Sequence, residues 1–130
     1  MRAWLYCRVA NGWDSDSSDH LALQKTELER YCQEHDMAIV GTTTVTGSGK
    51  DELWELVHSA AEQDAFDVLA AVSISRVGGD LLAIRDLCQV LNKSGKGMCF
   101  VRDNLCVPSD LLTEQAQHFD TSSEMGGQSL

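Results

Sequence analysis

The sequence is short of cations, proline, aromatics and long apolar runs. It has 10 Lys+Arg against 20 Asp+Glu, a formal charge of −10, in 130 residues. A stand-alone nucleic-acid binder would present a basic stripe, and this balance argues against one. The longest apolar runs, such as Val68-Leu69-Ala70-Ala71-Val72, fall far short of the roughly 20 residues of a membrane helix. At the N-terminus the apolar stretch is brief and interrupted by Arg8, so no signal peptide is read there. A soluble, cytoplasmic chain with no membrane association is expected. No CxxC pair and no HxxxH or Cys–His spacing occurs among five cysteines and four histidines. Metal ligation is therefore not expected, and without a secretory signal the cysteines read as reduced and mostly buried. No internal repeat is visible.

What remains suffices for one domain with a real core, since 43% of the residues are hydrophobic. Ala3 to Val9 reads as a first strand, followed by a polar loop over Asn11 to Asp19. Ser18 or Asp19 can cap a helix to about His35, with Leu21, Gln24, Leu28, Tyr31 and Cys32 on one face and Lys25, Glu29 and Arg30 toward solvent. Met37 to Thr43 reads as a second strand, Thr44 to Lys50 as a loop, and Asp51 to Gln63 as a helix burying Leu53, Leu56, Val57, Ala60 and Ala61. Phe66 to Ser73 is nearly all apolar, as a central parallel strand buried on both faces should be. After the loop Ser75 to Asp80, a third helix to about Asn92 is expected to bury Leu81, Ile84, Leu87, Cys88 and Leu91. A fourth strand covers Met98 to Val101.

Strand–helix alternation with short loops predicts an α/β three-layer sandwich: a mostly parallel sheet of four to five strands with helices on both faces. Residues 1–105 form the expected domain. Residues 106–130 contain no Lys or Arg and read as an acidic, disordered tail, with the sole proline, Pro108, near the boundary.

In open parallel sheets, function gathers in the loops after the carboxyl ends of the strands. Three such loops each deliver a cation: Arg8, Lys50 and Arg76. Converging cations can hold phosphate or another oxyanion, while ordinary surface cations paired with carboxylates explain them equally well. The Gly47-Ser48-Gly49-Lys50 loop is not a phosphate-binding P-loop, because that motif needs glycine at Thr44 and a hydroxyl residue at Asp51. Cys7 lies inside a strand with no histidine placed to activate it, and reads as core. Asp14, Asp16 and Asp19 do not fit a response-regulator receiver, since Ser75 stands after the third strand where a lone aspartate would be needed.

The order of these pieces resembles the catalytic domain of serine site-specific recombinases, the resolvase and DNA-invertase family. Tyr6-Cys7-Arg8-Val9-Ala10 is similar to the family's Y-x-R-V-S strand end. Leu23-Gln24, Thr46-Gly47-Ser48-Gly49 and Phe66-Asp67-Val68-Leu69 follow in order, and Ser75-Arg76-Val77-Gly78-Gly79-Asp80 resembles its D-R-L-G-R-D segment. The resemblance implies a resolvase-like fold and DNA strand exchange in which a serine hydroxyl attacks a phosphodiester and arginines stabilise the charged phosphorus centre, with no cofactor. It assigns Arg8, Gln24, Ser75 and Arg76 to catalytic positions, and Arg8, Lys50 and Arg76 to phosphate.

The nucleophile position holds Ala10, which has no hydroxyl. Ser75 replaces the family's aspartate, Gly79 its second arginine, and Lys50 stands where an arginine is usual. The expectation is an inactive serine-recombinase domain acting as an interaction or regulatory module, partnered by an intact recombinase or by its own copies. The stretch after residue 103 shows neither the family's long apolar helix nor a cation, so weak DNA binding at best is expected of this chain alone. Two alternatives stand beside it: an active or partly active subunit that binds DNA through an oligomer, and a small α/β anion-binding domain.

Overall fold

A computed structural model describes residues 1–9, 15–74 and 81–112, with residues 15–19 described by their backbone alone. The chain runs β1 (Arg2–Val9), α1 (Ser15–Glu34), β2 (Ala38–Thr46), α2 (Lys50–Gln63), β3 (Val68–Ala71), α3 (Leu81–Lys93), β4 (Gly97–Phe100) and β5 (Leu105–Val107). These strands form one sheet in the order β2-β1-β3-β4-β5. The pairings β1–β2, β1–β3 and β3–β4 are parallel, and β5 returns antiparallel to β4.

Strand alternation divides the core into two layers, because successive side chains point to opposite faces. Ala3, Leu5, Cys7, Val68, Ala70, Val72 and Cys99 face α1, where Leu28 and Cys32 meet them. Tyr6, Leu69, Ala71, Met98 and Phe100 face α2 and α3, packing on Leu53, Val57, Ile84, Leu87 and Leu91. The three layers and the mostly parallel sheet are as expected. All four residues of β3 are buried, as a central strand covered on both sides requires.

Several boundaries differ from those the sequence suggests. β2 continues past Thr43 to Thr46 because its register with β1 persists through Val9↔Thr46. α1 starts earlier, at Ser15. β3 is shorter than Phe66–Ser73, although Phe66 and Val72 remain buried beside it. Leu81, expected in the core, is 66% exposed. It begins α3, one turn before the helix reaches the sheet at Ile84.

The expectation that the cysteines are all reduced is also corrected. Cys99 on β4 stands opposite Cys106 on β5, and the two are joined as a disulfide. No linear spacing announces this pairing, because it depends on β5 folding back along β4. β5 itself takes in residues 105–107, on both sides of the boundary expected after residue 105. Of the acidic tail, residues 113–130 lie outside the described residues.

Candidate functional site

From β1 the chain moves to β2 on one side and later to β3 on the other, so a topological switch point lies between β1 and β3. Crevices at the carboxyl ends of strands flanking such a point are the usual ligand sites of open α/β sheets. Arg8 occupies this position, one residue before β1 ends at Val9.

The backbone there presents a pairing problem. β3 ends at Ala71, opposite Tyr6. The Val9 carbonyl accepts from Gly47 N–H on the β2 side, so the alternation of a strand turns the Arg8 backbone groups toward the side β3 has vacated. Gln24 of α1 fills the gap. Its Oε1 accepts from Arg8 N–H at 3.1 Å and its Nε2 donates to the Arg8 carbonyl at 2.9 Å. Gln24 is only 2% exposed, so this reciprocal pair satisfies both ends of a buried carboxamide.

The Arg8 side chain reaches the loop that follows β2, where Nη1 donates to the Gly47 carbonyl. Tyr6 holds the same loop from beneath: its buried hydroxyl donates to the Gly49 carbonyl at 3.3 Å. Burial pushes the Tyr6 phenol above its ordinary pKa, although Arg8 pulls it down. Gly49 has φ +69° and precedes the first residue of α2. An added Cβ there would collide with the Tyr6 hydroxyl and touch Arg8 Cδ at 3.4 Å. Glycine meets both demands, the left-handed φ and the close approach.

Lys50 follows at the start of α2 and is exposed, with no ion pair to any described residue. Arg8 is thus bonded to Gln24 of α1 and to the loop that leads into Lys50. Ala10, Ser75 and Arg76 lie outside the described residues. Asp51 and Glu52 fill the first turn of α2 beside Lys50 and oppose an anion there.

Two contributions were not read from the sequence. Tyr6 bonds the loop at Gly49, and its signal in the sequence was its place at the head of the Tyr6-Cys7-Arg8-Val9-Ala10 segment, which does not tell of that contact. Arg102 grips Glu27 of α1 through Nε, at 3.1 Å to both carboxylate oxygens, and Nη2, at 2.8 Å. Asp103 accepts from Ile74 N–H at 2.8 Å, tying the segment after β3 to the turn after β4. Arg102 is thus engaged with the Glu27 carboxylate. Among the described residues, no group of three His, Cys, Asp or Glu could hold a metal ion. No described helix is long and apolar enough to cross a membrane.

Residues 3–127 match the family described as Resolvase, N terminal domain. No curated protein sequence matches the chain. The fold is similar to the N-terminal catalytic domain of TP901-1 integrase, with TM-score 0.70, 18% identity and coverage of 96% of this chain and 100% of that one. It is also similar to a resolvase family site-specific recombinase from Streptococcus pneumoniae (TM-score 0.72, 16% identity, 94% of this chain and 89% of that one). A third likeness is the C-terminal catalytic domain of ISC1926 TnpA, an IS607-like serine recombinase (0.67, 21%, 94% and 82%). At these identities the structures speak for the fold, and the family match spans nearly the whole sequence. The chain belongs to the resolvase N-terminal domain family.

Proposed function

We propose that this chain is a serine-recombinase-type catalytic domain, related to DNA strand exchange, that does not cut DNA itself. It acts instead as an interaction or regulatory module, pairing with an intact recombinase or with a second copy of itself. The observation that carries this reading is Ala10, the residue directly after β1, where the family's motif has its serine. A methyl group cannot attack phosphorus, and without a nucleophile the surrounding cations have no covalent step to assist. Ser75 and Gly79 remove two further members of the family's charged set.

The retained Arg8 and Gln24 favour a second reading, an active or partly active subunit that binds DNA through an oligomer. Incubation with supercoiled DNA, followed by trapping of covalent adducts, separates the two. The chain alone is expected to give no adduct. In a mixture with an intact serine recombinase it is expected to change the partner's yield and to elute with it. A 5′-phosphoseryl adduct on this chain would overturn the proposal in favour of the second reading.

A further inference from the structure

We propose that Cys99 and Cys106 form a reversible dithiol–disulfide couple that fastens or releases β5 and the segment after it. The two residues are direct partners in the antiparallel β4–β5 pair, with Cα atoms 4.2 Å apart. Asn104, at φ +50°, turns the chain back between them, and its N–H donates to the Val101 carbonyl at 3.2 Å. Strand register therefore sets the two sulfurs opposite each other.

The two sulfurs differ in access. Cys99 is fully buried, whereas Cys106 is half-buried on a three-residue edge strand. The Tyr31 hydroxyl lies 3.6 Å from Cys106 Sγ, within hydrogen-bonding reach of the sulfur. Cys7, Cys32 and Cys88 are buried singly, and burial pushes all three thiols up, Cys7 and Cys88 to about 11. Oxidation is thus directed to one pair.

The exchange balances with a glutathione-type disulfide as oxidant. The Cys106 thiolate attacks one of its sulfurs, forming a mixed disulfide and expelling one glutathione thiolate. Cys99 then loses its proton and attacks Cys106 Sγ, closing the intramolecular bond and expelling the second. Overall, two protein thiols are oxidised and one glutathione disulfide is reduced to two glutathione thiols.

Among the described residues, β5 and the segment after it are held by the short pairing with β4, by the Asn92 side chain, which donates to the Val107 carbonyl at 3.3 Å, by Val107 against the α2–α3 side of the sheet, and by Leu111 and Leu112 against the α1 side. The disulfide is the covalent tie of this three-residue edge strand, so opening it loosens residues 105–112 while the parallel sheet stays intact.

The test equilibrates the full chain in glutathione buffers of graded oxidation, then alkylates and maps the cysteines and measures amide exchange. The Cys99–Cys106 pair is expected to pass from alkylated to protected as the oxidised share rises, with the other three cysteines unchanged. Exchange across residues 105–112 should be about tenfold or more faster in the reduced chain, and unchanged in β1. Cys99→Ser should accumulate a glutathione adduct on Cys106, and Cys106→Ser should make exchange insensitive to the buffer. A pair that stays reduced, or stays bonded, in every buffer overturns the proposal. Bond formation that leaves exchange at 105–112 unaltered overturns it too. Should either variant fail to fold, the wild-type titration decides alone.

Discussion

The side chain of Gln24 hydrogen-bonds both backbone groups of Arg8, and so completes β1 at the point where its neighbour β3 has ended. Gln24→Ala would leave a buried N–H and carbonyl unpaired. The expected loss is about 1–3 kcal/mol of stability, read by urea denaturation. Gln24→Glu keeps the acceptor for Arg8 N–H but loses the donor to its carbonyl, and should also destabilise. A loss below about 0.5 kcal/mol for Gln24→Ala would show that water replaces the carboxamide.

Gly49 and Tyr6 offer a coupled test. Gly49→Ala forces a side chain into a left-handed φ and against the Tyr6 hydroxyl. It is expected to cost about 1–3 kcal/mol. Tyr6→Phe removes the colliding oxygen but not the backbone strain. In the double variant the cost of Gly49→Ala should fall to about 1 kcal/mol. Strictly additive losses would mean that the collision is relieved in some other way.

At the opposite ends of the strands, Asp67 accepts from Arg2 at 2.8 Å (backbone N–H), 3.2 Å (Nε) and 3.1 Å (Nη2), and from Lys96 Nζ at 3.3 Å. These bonds, Arg2 foremost, hold its carboxyl well below the ordinary carboxylate range. A carboxyl depressed in this way stabilises the fold fully above its unfolded pKa of about 3.9, and less as pH falls toward its folded value. The stability gap between wild type and Asp67→Asn should therefore be constant above about pH 5 and shrink steadily below pH 4. A gap that widens on acidification would contradict the assignment. Asp64, bound to Arg2 at 2.7 Å and to Lys96, is depressed in the same direction.

Much of this architecture was legible because periodicity and burial agree along most elements. The α1 face of Gln24, Leu28 and Cys32 was read from helical spacing alone and is buried. The candidate site was legible only in part. Arg8 could be placed at the end of a strand and Lys50 after one, but not the bond from Arg8 to Gly47, because that depends on how one loop lies over another strand. β5 and its disulfide escaped notice for a similar reason. Three residues, Leu105 to Val107, carry no periodicity, and their partner in β4 is fixed only by the turn at Asn104.

Leu81 marks where periodicity misleads at a helix end. It falls on the helical stripe of Ile84, Leu87, Cys88 and Leu91, yet it is 66% exposed, whereas Leu91 is fully buried. Leu81→Ser should change stability by no more than about 0.5 kcal/mol. Leu91→Ala should cost about 2–5 kcal/mol through lost burial and the cavity left between α3 and the sheet. Equal losses in chemical denaturation would place Leu81 in the core after all.

The proposed inactivity has its own sharp test in Ala10. If the missing hydroxyl were the only deficit, Ala10→Ser would restore covalent attack on DNA. The sequence predicts more than one deficit, since Ser75 and Gly79 stand where the family's motif has an aspartate and an arginine, and Lys50 lacks the two-pronged contact of a guanidinium. Charge developing on the phosphate oxygens would still lack much of its stabilisation, and catalysis by such groups is strongly cooperative. Ala10→Ser alone should therefore yield no phosphoseryl adduct with supercoiled DNA. Adding Ser75→Asp, Gly79→Arg and Lys50→Arg to it is the combination expected to raise the adduct above background. An adduct from the single variant would mean that the remaining rim is competent and that Ala10 by itself accounts for the inactivity.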